Sequence, residues 1–186
     1  MRILLWNARN IGNNTSQGAL VQLINNHHPN CIFISETCIK KNKKLLNLNL
    51  LRGKMIFSEN KHYAIYMEFD SQISILQETS QYILTRITLH HMSYDFCFVH
   101  ASNKAKECFQ LHQQLLELAQ QNNTLGFGGD FNDVCGLSKT TSWNTIIARN
   151  VDKFNEFLVS LNRTKPLKNG HHFTWTNRHV NQVSFS

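Results

Sequence analysis

A short apolar run, Thr124-Leu125-Gly126-Phe127, stops at a glycine pair and then presents a carboxylate, an aromatic ring and an amide: Gly128-Gly129-Asp130-Phe131-Asn132. Such a stretch reads as a buried strand that delivers polar groups to the rim of a sheet. Rims of that kind are where open α/β sheets bind ligands. Glycines there let another backbone or a substrate come close. Three further stretches support it in order along the chain: Trp6-Asn7-Ala8-Arg9, Ser35-Glu36-Thr37, and Phe173-Thr174-Trp175-Thr176-Asn177.

The elements around these stretches follow from periodicity. Residues 1–6 read as a buried strand. Thr15-Ser16-Gln17 can cap a helix carrying Leu20, Leu23 and Ile24 at helical spacing, and Pro29 ends that region. Residues 31–34 form a second apolar strand, so strand, helix and strand occupy 35 residues, the pattern of a parallel βαβ unit. Residues 55–57, 63–67, 73–76, 82–89 and 94–99 predict an antiparallel meander, with alternation clearest at Ile83, Thr85, Ile87 and Leu89. A long helix over 104–121 carries Phe109, Leu111, Leu115, Leu116 and Leu118 on or near one face. Residues 151–161 predict another helix, with Phe154, Phe157, Leu158 and Leu161 at helical spacing. Residues 173–176 predict a last strand. The result is one mixed α/β domain over residues 1–186. Only ten residues follow the last strand and none offers it a partner. An unpaired edge at a terminus is a liability, so the expectation is a domain whose last strands are missing from this chain.

Composition bounds the function. A 41% hydrophobic content suffices for a core, and no apolar run approaches the roughly 18 residues a membrane span needs. Residues 3–6 are too short for a signal peptide. Five cysteines (Cys31, Cys38, Cys97, Cys108 and Cys135) lack CxxC spacing, so they read as reduced thiols, mostly in the core. The expectation is an intracellular chain with no membrane partner. Net charge is +7, and residues 38–61 hold seven bases against the single acid Glu59. That cluster, with Lys40, Lys41, Lys43 and Lys44 at its heart, suits a polyanion such as nucleic acid. It equally suits a solvated lysine-rich helix or loop.

Glu36, Asp130, Asn132 and Asn7 each end or follow an apolar strand. Parallel strands place such groups on one rim. Mg²⁺ is held by one or two carboxylates, with water and substrate phosphate completing its shell. A metal and a phosphate together orient water for in-line attack. Asp130 can accept the water's proton. The amides of Asn7 and Asn132 can donate to developing negative charge. Taken singly, an Asp or Asn after a strand is commonly a turn residue, and a Glu there a helix N-terminal charge.

As an ordered set these residues carry a resemblance. Trp6-Asn7-Ala8-Arg9-Asn10-Ile11-Gly12 is similar to an opening "WNxRGLG", Ile34-Ser35-Glu36-Thr37 to "LxET", Gly128-Gly129-Asp130-Phe131-Asn132 to "GGDFN", and Phe173-Thr174-Trp175-Thr176-Asn177 to "FTWxN". The whole chain resembles the endonuclease/exonuclease/phosphatase superfamily, in particular the apurinic-endonuclease-like domain of plant-type non-LTR (LINE-like) retrotransposons. The resemblance implies a four-layer, DNase-I-like α/β sandwich with two mixed sheets flanked by helices. It implies cleavage of DNA phosphodiesters with Mg²⁺ or Mn²⁺ and no small-molecule cofactor. Glu36 would be the metal ligand with Asn7 close by, Asp130 would orient the attacking water, and Asn132 would contact the scissile phosphate. Arg9, the four lysines and Asn103 are the candidate nucleic-acid contacts. A DNA substrate implies the nucleus.

Departures from the pattern support other readings. In Phe98-Val99-His100-Ala101-Ser102-Asn103, His100 stands where the family carries a tyrosine. A protonated histidine can donate to phosphate, or His100 has no role at all. Asn10 replaces a glycine of the opening run, Asn60-Lys61-His62-Tyr63 stands where the family opens a strand on a glycine pair, and the family's late "SDH" element is absent. His171-His172 does not match it. Two alternatives follow. One is a catalytically degenerate remnant that only binds nucleic acid. The other is a small-molecule phosphatase of the same fold.

Overall fold

The computed structural model describes residues 1–39, 53–59, 61–122, 126–132 and 145–162. The stretches around Lys40–Lys44 and the expected 173–176 strand lie outside the described residues. The chain divides into two compact units, residues 1–100 with 124–130, and residues 101–123 with 131–186.

The first unit holds every described strand. In its first sheet, β1 (Ile3–Asn7) pairs in parallel with β2 (Cys31–Ser35), and helix α1 (Asn14–His27) links them. The order is β1-β2-β4-β3, with β4 (Tyr63–Glu68) antiparallel both to β2 and to β3 (Gly53–Phe57). The second sheet is β5-β6-β7-β8, made of β5 (Ser71–Glu78), β6 (Tyr82–Leu89), β7 (Met92–His100) and β8 (Gly126–Asp130). Its first three strands are antiparallel, and β8 lies parallel to β7.

The two-residue side-chain period of a strand explains the layering. Along β2, Cys31 and Phe33 face the second sheet, where they join Ile65, Ile83, Ile87 and Phe98 in one core. Ile32 and Ile34 face the other way, onto Leu20 and Ile24 of α1. A strand buried on both faces is apolar throughout, as the short run 31–34 foretold. Phe33 and Phe98 stack across the sheets at 4.8 Å with an 11° interplanar angle. Such a pair adds about 0.5–1.5 kcal/mol beyond the area it buries.

Three details depart from the sequence reading. Helix α1 is capped by Asn13, whose side chain accepts from Ser16 N at 2.7 Å. The expected cap at residues 15–17 lies inside the helix, and Gln17 turns inward to donate to Ile11 O. The single meander is in fact split between two sheets. The two-residue link Phe69-Asp70 would suit a hairpin, but both sides of β4 are already paired, so β5 starts a new sheet. Finally, β8 runs through the glycine pair and does not stop at it. A Cβ on Gly129 (φ +146°) would lie 1.8 Å from Val99 O, and one on Gly128 would lie 2.7 Å from Leu5 Cδ1. At Gly129 only glycine lets β8 come so close to the β7 backbone.

In the second unit, α2 (Ala105–Gln121) buries Cys108, Leu111, His112, Leu115 and Ala119. The expected face included Phe109, which instead is 55% exposed. Helix α3 (Thr145–Ser160) contributes Val151, Phe154 and Phe157. His112 stacks on Phe157 at 4.2 Å, and Phe131 completes the cluster. The four described cysteines are free thiols, and all but Cys38 are buried. No described helix is long and apolar enough to cross a membrane.

Candidate active site

The four strands of the first unit that pair in parallel, β1, β2, β7 and β8, all end in polar groups. Asn7 ends β1 beside Ser35, the last residue of β2, and Glu36 follows at once. His100 ends β7 directly beside Asp130, the last residue of β8. Both pairs are parallel, so each sheet offers its polar residues at a carboxyl-end rim.

One carboxylate oxygen joins the two rims. Glu36 Oε1 accepts from Asn7 Nδ2 at 2.7 Å and lies 3.3 Å from His100 Nε2. With Glu36 ionised, the imidazole donates through Nε2–H. Asn7 Oδ1 accepts in turn from Arg9 N at 3.2 Å. A carbonyl oxygen has two lone pairs, so that bond leaves Asn7 acceptor capacity. The Glu36 side chain is 39% exposed and that of His100 24%, so the pair is open to a ligand from solvent.

The backbone fixes this geometry. The β1/β2 ladder continues past both strands through Ala8 N to Ser35 O, Asn10 N to Glu36 O, and Ile11 N to Thr37 O. Four non-glycine residues there have positive φ: Arg9 (47°), Asn10 (109°), Glu36 (52°) and Cys38 (50°). Residues other than glycine pay about 1–2 kcal/mol for the left-handed region, and such strain gathers at functional sites. Thr37, fully buried, anchors the turn by donating its hydroxyl to Lys61 O and its N–H to His62 O.

His100 is also fixed from beneath. Its N–H donates to Gln81 O, and its ring meets Tyr63 edge-on at 5.8 Å. Tyr63 donates its hydroxyl to Ser80 O. Burial, with Glu78 nearby, pushes that phenol up to about 12, so it stays protonated and serves as a rigid platform. The sequence reading placed Tyr63 only in a strand and gave Thr37 no task. Their spacing from the motifs carries no signal, because the contacts cross sheets.

Among the described residues no three His, Cys, Asp or Glu side chains gather as a metal cage. One exposed carboxylate with an amide beside it suits a hard ion that keeps most of its waters, such as Mg²⁺. It does not suit zinc, which takes three or four protein ligands.

The remaining described candidates are Arg9, Asn103 and Asn132. Arg9 is exposed at the β1 turn. Asn132 and Asn103 belong to the second unit, where both line a hollow beside Cys108, Phe109, His112 and Lys153. Asn132 takes a left-handed φ of 49° and donates its amide to Ala101 O.

Solved structures share this architecture. A 3′ phosphatase, NExo from Neisseria, bound to product DNA hairpin, matches all of this chain and 83% of its own at a TM-score of 0.68 and 14% identity. The endonuclease domain of TRAS1, a telomere-specific non-LTR retrotransposon, matches 86% of this chain and 70% of its own at 0.63 and 13% identity. The human Nocturnin catalytic domain with bound sulfate matches 72% of this chain and 64% of its own at 0.51 and 15% identity. No family model and no curated protein matches the sequence. The chain therefore has the DNase-I-like α/β fold, two mixed sheets with their helices, as the sequence reading expected.

Proposed function

We propose that the chain is a divalent-metal-dependent phosphodiester hydrolase that cuts DNA, derived from a retrotransposon and acting in the nucleus. The observation that carries this reading is the Glu36 carboxylate held between Asn7 Nδ2 and His100 Nε2, with Asp130 beside His100 in register. Glu36 is the ligand for Mg²⁺ or Mn²⁺, and Asn7 orients it. A bound ion supplies Lewis-acid stabilisation of the phosphate. Asp130 takes the proton of the attacking water as the water oxygen bonds to phosphorus and the sugar oxygen leaves. His100, when protonated, can turn from Glu36 to a phosphate oxygen. Asn132, two residues after Asp130, keeps the phosphate contact that the resemblance gives it.

The test is nicking of supercoiled plasmid by the purified 186-residue chain with Mg²⁺ or Mn²⁺, beside Glu36→Gln and Asp130→Asn. We expect metal-dependent nicking that both substitutions abolish, with weaker metal binding in Glu36→Gln alone. Full activity in Glu36→Gln would remove that residue from the site. A second reading rests on His100, which already engages the carboxylate oxygen that an ion would need. In that case a folded chain binds DNA, in a salt-sensitive way, and leaves it uncut. Faster hydrolysis of small phosphate esters than of plasmid would instead point to a phosphatase.

A further inference from the structure

The two sheets of the first unit do not guard their outer edges alike. Among the described residues β5 pairs only with β6, and β3 only with β4, so each offers its other side to a partner. A strand edge of this kind is a template for another chain, and proteins blunt it with lysine, proline or a bulge. β3 carries the exposed Lys54. β5, Ser-Gln-Ile-Ser-Ile-Leu-Gln-Glu, has neither lysine nor proline. Its one irregularity lies towards its end, where the register skips Leu76 between Ile75 and Gln77. Residues 71–75 remain as a regular edge, long enough for a strand to pair with. Ile73 packs on the core and holds that edge to the sheet, whereas Ile75 is 38% and Leu76 46% exposed.

Charge indicates what fits there. The whole chain carries +7, yet between Lys61 and Arg86 it holds Glu68, Asp70 and Glu78 and neither lysine nor arginine. Glu68 and Asp70 immediately precede β5, with the exposed Phe69 ring between them, and Glu78 ends the strand. Acids therefore bracket an uncharged edge that exposes apolar side chains. Such an edge repels phosphates and attracts cationic groups.

We propose that the free edge of β5 docks an extended segment of a partner protein as an added antiparallel strand, the segment being apolar at its centre and carrying lysine or arginine at both ends. In strand addition the main-chain hydrogen bonds give affinity and the side chains give specificity. Ile75 and Leu76 meet the apolar centre, and Asp70 and Glu78 meet the basic ends. The edge recruits a protein and takes no part in the chemistry at Glu36, so the proposal stands whether or not the chain cuts DNA.

The test is fluorescence anisotropy of the labelled peptide KKVTVTVKK against the full chain, with KKVTPTVKK and EEVTVTVEE as controls. We expect saturable binding of the first peptide and none of the other two, since proline removes a ladder donor and reversed charge removes the complement. Hydrogen exchange of the β5 amides should slow when KKVTVTVKK binds. Ile75→Lys and Leu76→Lys alter exposed positions, so the fold should be retained, and circular dichroism checks this. Each should weaken binding about tenfold by placing a lysine on the edge. Asp70→Asn with Glu78→Gln should make the remaining affinity less sensitive to salt. The proposal is overturned by no saturable binding of KKVTVTVKK, by equal binding of KKVTPTVKK, or by unaltered affinity in both lysine variants. An unchanged salt dependence in the Asp70→Asn, Glu78→Gln variant would overturn the basic partner. Self-association of the unaltered chain in sedimentation, abolished by Leu76→Lys, would also overturn it and give the edge to a second copy.

Discussion

Gly129 shows how narrowly a single residue can be constrained. Its φ of +146° lies outside what side chains adopt, and a Cβ would sit 1.8 Å from the carbonyl oxygen of Val99. That carbonyl lies one residue before His100, so any displacement reaches the site. Gly129→Ala should destabilise the chain by about 2 kcal/mol or more, from backbone strain and overpacking together. Urea denaturation measures it, and an unchanged midpoint would show that β7 and β8 can part without cost. The glycine pair was conspicuous in the sequence, and its meaning as a place of close approach held. Its extent did not, because a strand of glycines has no apolar alternation to count. The meeting of Asn7 with Glu36 was legible for a related reason: parallel strands in a βαβ unit end on one rim. The left-handed backbone at Glu36 and the Tyr63 ring against His100 were not legible. Both are set by contacts between segments far apart in sequence, Glu36 with His100 across 64 residues among them.

At the scale of elements, the α2/α3 pair carries a titratable group in its core. His112 is buried against Phe154 and Phe157, and burial lowers its pKa below the usual 6.5. The native state therefore prefers the neutral imidazole. Above about pH 6.5 neither state is protonated and the stability is whole. As pH falls below that value the unfolded chain takes up a proton that the folded one resists, so stability drops through the lowered folded-state pKa. Urea midpoints between pH 7.5 and 5 should fall more steeply for the unaltered chain than for His112→Phe, which keeps the stacking and removes the proton. Equal slopes would mean that His112 titrates as it does in water. The helix itself was legible over 104–121, and its apolar face only in part. Periodicity placed Phe109 with the leucines, but the ring lies at the margin of the stripe, and tertiary packing decides such margins. The split of the expected meander has a similar cause. The sequence shows a two-residue link, but not that both ladder sides of β4 are already occupied.

At the scale of the whole molecule, charge is the property that a partner meets first. The net +7 is concentrated in a segment holding Lys40, Lys41, Lys43 and Lys44. A basic surface raises the encounter rate with a polyanion and loses its hold as salt rises. Each lysine that neutralises a phosphate on duplex DNA contributes about 0.9 to the slope of log affinity against log salt. Replacing all four with glutamine should therefore flatten that slope by between about 3 and 4 if each one reaches the backbone. The loss should be the same for every duplex sequence, since such contacts carry no base information. Anisotropy titrations between 50 and 200 mM salt measure the slope directly. A slope unchanged in the quadruple variant would make the cluster a solvated face. DNA binding would then rest on the residues at the strand ends and in the second unit. A flattened slope with metal-dependent nicking intact at low salt would separate the two tasks. The lysines would then gather the substrate, while the Glu36 carboxylate between Asn7 and His100 carries the chemistry.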